Sequence, residues 1–256
     1  MLLTIDVGNT HTVLGVYEGE ELLHMWRVQT DAQQTSDEAR VALNGLFQMA
    51  DIEARQISGI ALATVVPSLN RLWHTVGETL CHCPVVSVDA NVVADMIDTS
   101  GYGGTPGADR LADAVAARAL YGSPAIVLDL GTATNIEVID ENGHFLGGAI
   151  APGIQTSIEG LVNRTALLPD VELADPGCAI GNSTVKAIQI GVVYGQVDAI
   201  DGMVRRIWKQ LGTETPVIAT GGFGYLMSSL SQTVTDVNPE LTLQGLRLIY
   251  QAKAEQ

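Results

Sequence analysis

Residues 2–19, Leu2-Leu3-Thr4-Ile5-Asp6-Val7-Gly8-Asn9-Thr10-His11-Thr12-Val13-Leu14-Gly15-Val16-Tyr17-Glu18-Gly19, decide how the fold is read. Leu2, Leu3 and Ile5 make a short apolar run of β-forming character that ends in an acid, Asp6. Val7-Gly8-Asn9-Thr10 follows, and a second β-prone run begins at His11. Two such runs on either side of a Gly-Asn turn predict a β-hairpin. The turn also has the chemistry of a phosphate loop. Gly8 lets backbone N–H groups come close to an anion, and Asn9 and Thr10 add side-chain donors. Asp6 alone would repel phosphate, so its place there implies a bridging Mg²⁺. A plain hairpin uses the same residue types, and only a second copy of the pattern separates the two readings.

The second half of the chain carries that copy. Residues 125–130, AIVLDL, read as a buried strand with an acid, Asp129, near its end, and Gly131-Thr132-Ala133-Thr134 follows. Further strands are predicted over residues 135–139 and 145–150. Between the copies the pattern gives a helix over 35–49 with Ser36 as its cap, a buried strand over 57–66, a helix opened by Pro67 and running to Leu80, a strand over 84–88, and a helix over 108–121. Beyond the second copy come a helix from Gly153, a long helix over 183–210, a strand over 216–220 ending in Gly221-Gly222, and a last helix over 242–252. A repeat this long is a duplicated domain. The expected division is 1–115 and 116–256, two α/β halves flanking a cleft, each gripping phosphates with its own hairpin. That is the logic of the actin-like, ribonuclease H-like ATPase fold shared by acetate and sugar kinases, Hsp70 and actin.

Composition narrows the function. Lys and Arg number 13 against 29 Asp and Glu, a net charge of −16, which disfavours nucleic acid and anionic membranes as partners. An anionic substrate then needs a locally positive pocket. Hydrophobic residues make up 46% of the chain with only 5% aromatic, so Ala, Val, Ile and Leu build the core. No apolar run reaches membrane-spanning length and no basic flank precedes the first strand, so the expectation is a soluble, cytoplasmic protein. Cys81-His82-Cys83 has poor spacing for zinc and no second ligand pair follows it; reduced, partly buried thiols are expected.

Two further stretches carry chemistry. Gly107-Ala108-Asp109-Arg110 stands where a glycine-rich loop enters a helix. Asp109 can take a proton, and Arg110, with its planar fork, suits a carboxylate; an acid at a helix N-terminus beside a solvated Arg is the bland alternative. Gly221-Gly222 would let a base or ribose lie against backbone.

Taken as an ordered set, IDVGNT, SGIALATVVP, PGADR, DLGTAT, GGAIAPG, GNSTVKAIQIG, VIATGG and LTLQGLRLIY resemble the type III pantothenate kinases nearly end to end. The resemblance implies ATP-dependent phosphorylation of pantothenate, the first step of coenzyme A biosynthesis. It implies an ATP phosphate loop at Asp6, Val7, Gly8, Asn9, Thr10, His11, Thr12 and Val13, with Thr132 as a second ATP contact. It implies a monovalent cation, potassium or ammonium, at Asp129. Pantothenate would be held by Gly107, Ala108, Asp109 and Arg110, with Asp109 as catalytic base, Arg110 on the substrate carboxylate and Thr184 as a further contact. The family forms homodimers through the long helix. Where the family usually has an aromatic seven residues before Gly107, this chain has Ser100, and Tyr102 nearby is the candidate replacement; Asn135 stands where threonine is usual. In the implied mechanism Mg²⁺ near Asp6 and the backbone N–H groups of Gly8 and Gly131 neutralise the phosphates. A sugar or acetate kinase of the same fold would share the hairpins, but a sugar kinase usually adds insertions that this compact chain lacks; a nucleotide-gated regulatory protein would give Asp109-Arg110 no purpose.

Overall fold

A computed structural model describes residues 1–165, 169 and 171–254. It resolves into two compact units, residues 1–116 with 240–256, and residues 117–239. The last helix, grouped by sequence order with the second half, thus packs with the first.

In the first unit, β1 (Leu2–Val7), β2 (His11–Glu18) and β3 (Glu21–Gln29) form an antiparallel meander. After helix α1 (Ser36–Met49), strand β4 (Gly59–Thr64) runs parallel to β1. Helix α2 (Pro67–Val76) and strand β5 (Val85–Ser87) complete a sheet of order β3-β2-β1-β4-β5. Leu3, Ile5 and Val7 alternate onto one face of β1, where they join Leu14, Val16, Ile60 and Leu62 and the apolar sides of α1 and α2 in one core. Helix α1 is capped by Thr35 and not by Ser36. Glu38 stands three residues after Thr35, so the two close a capping box in which each side chain takes the other's backbone N–H. Helix α2 ends at Val76, earlier than the expected Leu80, and a π-helical turn over Gly77–Cys81 follows.

Helix α3 (Ala108–Tyr121) and helix α7 (Leu241–Ala254) meet closely in this unit. A methyl group at Gly245 would fall on the backbone of Ala112. Thr242 donates to the buried Asp113 at 2.7 Å, fixing one helix against the other. Helix α7 lies over the other face of the sheet, with Leu243 against Gly15 and Tyr250 against Gly59.

The second unit repeats the sheet strand for strand. Strands β6 (Ala125–Leu130), β7 (Ala133–Ile139) and β8 (Phe145–Pro152) form the meander. After helices α4 (Ile154–Asn163) and α5 (Thr184–Leu211), β9 (Val217–Thr220) runs parallel to β6. Helix α6 (Gly224–Leu230) and β10 (Asp236–Val237) follow, giving the order β8-β7-β6-β9-β10. Ile126, Leu128 and Leu130 face a core completed by Val193, Val197, Ile200 and Val204 of α5. The two acids occupy equivalent places: each is the fifth residue of the central strand, paired with its antiparallel neighbour, Asp6 with Val13 and Asp129 with Asn135.

Candidate active site residues

In the first unit the turn after β1 is closed by its own backbone, with the Gly8 N–H donating to the His11 carbonyl at 3.0 Å. Gly8 is therefore not the donor offered to a ligand, contrary to the expectation from sequence. The side chains of Asn9, Thr10 and His11 are exposed. Val7 is fully buried in the core and Thr12 is buried against Thr30, hydroxyl to hydroxyl at 2.9 Å. Asp6 is partly buried, in a cross-strand row between Val13 and Ala63.

Gly107 and Asp109 belong to the same neighbourhood. The Val65 N–H donates to the Val7 carbonyl at 3.1 Å, and a side chain at Gly107 would stand 3.6 Å from Val65. It would also collide with the Asp109 carboxylate, which folds back over Gly107. Glycine at 107 is thus what gives Asp109 its place. The carboxylate accepts the Arg110 N–H at 2.8 Å at the head of α3. Burial raises its pKa above the ordinary aspartate value, opposed by that N–H and by the Arg110 charge. A carboxyl shifted in this direction holds a proton more readily, which suits a general base. Arg110 is 8% exposed. Its guanidinium lies 5.7 Å from the centre of the Tyr102 ring and donates through Nη1 to the Tyr102 hydroxyl at 3.2 Å. Ser100 is exposed, with its N–H turned to Asp98; the aromatic beside Arg110 is Tyr102.

In the second unit the Gly131 N–H is likewise spent inside its own turn, on the Ala133 carbonyl at 3.0 Å. The next two peptides differ. The Thr132 carbonyl accepts the Gly153 N–H at 3.0 Å and the Thr156 hydroxyl at 2.6 Å. The Gly131 carbonyl oxygen also lies against Gly153, where any side chain would strike it. In a trans peptide the N–H points opposite to the C=O. The Ala133 N–H, on the far side of the peptide from the Thr132 carbonyl, is therefore turned away from Gly153. Sequence pointed to Thr132 and to the Gly131 N–H in this turn; the Gly131 N–H is taken up by Ala133, and Thr132 is anchored by its carbonyl. Gly153 and Thr156 were missed, and the only signal for them is the Pro-Gly at the head of α4.

Asp129 is partly buried, pairs across the sheet with Asn135 and Thr220, and accepts the Asn135 side-chain amide at 3.3 Å. Gly221, at φ 82, is pressed against Asp129 and the Leu130 carbonyl, where a side chain would collide with this strand. Thr184 is the exposed first residue of α5, which Ser183 caps by accepting the Lys186 N–H. No cluster of three His, Cys, Asp or Glu suited to a metal occurs among the described residues. Asp6 offers one carboxylate, which suits a Mg²⁺ carried mainly by phosphates and water. Asp129, with an amide donor already on one oxygen, offers a single carboxylate to a cation. No helix among the described residues is long and apolar enough to cross a membrane.

The fold defines a class. A putative Baf family transcriptional activator from Campylobacter jejuni superposes with a TM-score of 0.61 at 18% identity, covering 99% of this chain and 100% of that one. A putative N-acetylglucosamine kinase from Porphyromonas gingivalis superposes at 0.52 and 16% identity, covering 99% and 100%. The architecture is the duplicated actin-like fold of ATP-dependent kinases and their relatives. The family model of type III pantothenate kinase matches residues 2–206, and the type III pantothenate kinase of Parafrankia sp. is 44% identical over 259 residues, covering 100% of this chain and 99% of that protein. The chain belongs to the type III pantothenate kinase family.

Proposed function

We propose that this chain transfers the γ-phosphoryl group of ATP to the primary hydroxyl of pantothenate, giving 4'-phosphopantothenate for coenzyme A biosynthesis. Family membership supports the reaction, and one observation carries the assignment of residues: Asp109, with its pKa raised by burial, stands beside the enclosed guanidinium of Arg110. Phosphoryl transfer proceeds through a loose transition state, so positioning and charge neutralisation do most of the catalysis. In this reading Asp6 and residues 7–13 form the first ATP loop, and Thr132, the second ATP contact, and the Ala133 N–H face the phosphate oxygens. Asp109 orients the acceptor hydroxyl and takes its proton late, a contribution on the order of 10²–10⁴-fold. Arg110, steadied by Tyr102, binds the pantothenate carboxylate, and Gly107, Ala108 and Thr184 complete the acceptor site. Asp6 would hold Mg²⁺ and Asp129 a potassium or ammonium ion, and both ions would supply charge neutralisation on the phosphates.

The working form is a cytoplasmic homodimer joined along α5. Val185 and Met203, 49% and 38% exposed, support this, since their spacing is five helical turns and places them on one face.

An ADP-release assay tests the function. Turnover that requires pantothenate, and a phosphorylated product identified by mass spectrometry, is the expected result. ADP release that ignores pantothenate, or none at all, overturns it.

A further inference from the structure

Thr156 is an exposed residue in the first turn of α4, yet its hydroxyl bonds outside its own helix, to the Thr132 carbonyl at 2.6 Å. The Gly153 N–H, at 3.0 Å, takes the second lone pair of the same oxygen. Gly153 is buried, so its N–H has no water to turn to if that carbonyl swings away. The Thr132–Ala133 peptide is thus held in one of its two orientations by two donors from the start of α4. In that orientation the Ala133 N–H faces away from Gly153, and in the flipped one a carbonyl oxygen would stand where the N–H is.

We infer that Thr156 is a positioning residue for ATP: its hydroxyl holds the Thr132–Ala133 peptide so that the turn presents the Ala133 N–H, and not a carbonyl, to a phosphate. The inference rests on the proposed kinase function but concerns nucleotide binding alone. Thr156 touches no reacting atom. A surface threonine here would otherwise be replaceable, and valine matches its shape while removing only the donor.

The test compares the full-length chain with Thr156→Val and Thr156→Ser, by calorimetric titration with Mg-ATP, by steady-state kinetics and by thermal melting. Loss of one hydrogen bond and partial release of the peptide should weaken Mg-ATP binding about fivefold or more. The KM for ATP should rise in parallel, while the KM for pantothenate and the melting temperature hold. Thr156→Ser, which keeps the hydroxyl, should bind Mg-ATP within about twofold of the unaltered chain, well inside the effect of one lost hydrogen bond. Unchanged binding in Thr156→Val overturns the inference, as does a serine variant as weak as the valine one. A fall in melting temperature that accounts for the lost affinity also overturns it. An unaltered chain that binds Mg-ATP but does not turn over pantothenate sinks the proposed function, while the titration of Thr156→Val still decides the role of Thr156. Absence of Mg-ATP binding by the unaltered chain overturns both.

Discussion

Arg110 is packed against Tyr102 in two ways at once, with the guanidinium 5.7 Å from the ring centre and Nη1 3.2 Å from the hydroxyl. The ring and the hydroxyl do separable things. The ring limits where the guanidinium can lie, and the hydroxyl fixes how its fork is turned. Tyr102→Phe should therefore raise the KM for pantothenate by about fivefold, the worth of one hydrogen bond. Tyr102→Ala should raise it further, because the stacking goes too. Steady-state kinetics with varied pantothenate checks this, and equal effects of the two substitutions would remove the ring from the account.

Arg110→Ala removes the charge itself. A charge-assisted hydrogen bond is worth about 1.5–3 kcal/mol, so a rise in pantothenate KM of roughly tenfold or more is expected, with the KM for ATP nearly unchanged. Arg110→Lys should recover only part of the loss, since an ammonium cannot match the planar fork. A pantothenate KM that stays put in Arg110→Ala would take Arg110 off the substrate carboxylate.

Asp109 joins activity to stability. Burial raises its pKa, so the folded chain binds this proton more tightly than the unfolded chain does. Between the ordinary aspartate value and the raised one, the folded state carries more protons, and stability rises as pH falls through that window. Above it the ionised, buried carboxylate costs stability. Asp109→Asn should therefore melt at a higher temperature than the unaltered chain at pH 7.5, with the gain gone below about pH 3, where the carboxyl is neutral in both states. The same variant should lose kcat by about 10²-fold or more. In the unaltered enzyme kcat/KM should fall on the acid side at a pH above that of a free aspartate. Melting curves at the two pH values and a pH–rate profile check the sign; destabilisation at neutral pH would show that the carboxylate is better solvated than its burial implies.

Much of this was legible in the sequence because the decisive features are local. An acid near the end of an apolar strand, a glycine two residues on and a second strand at once are visible without tertiary information, and their repetition at Asp129 fixed the duplicated architecture. The placement of α7 was not legible. Its partners, Ala112 against Gly245 and Asp113 with Thr242, lie far away in the chain, and nothing near residue 240 announces them. The glycines misled for a related reason. Gly8 and Gly131 look like donors to a ligand, but a tight hairpin consumes the N–H that closes it. At Gly221 the room left by the missing side chain is taken by Asp129 and Leu130. A sequence shows that a side chain is missing, and only packing shows what takes its place.

That distinction gives the last prediction, a contrast between two glycines at one turn. A methyl group at Gly131 would meet nothing closer than the Asp129 carboxylate at 3.7 Å and the Ala133 carbonyl at 3.9 Å, ordinary contact distances. A methyl group at Gly153 would strike the Gly131 carbonyl and lie 2.6 Å from that of Thr132. Gly153→Ala should therefore destabilise the fold itself, by about 1–3 kcal/mol as for other overpacked sites, and disturb nucleotide binding as a consequence. Gly131→Ala should leave the melting temperature in place. If the turn receives a phosphate, however, the added methyl takes up room beside it, and the KM for ATP should rise by about tenfold, more than one ordinary hydrogen bond is worth. Thermal melting and ATP kinetics on both variants separate the two effects. A Gly131→Ala enzyme with normal ATP kinetics would mean that no phosphate comes near this turn.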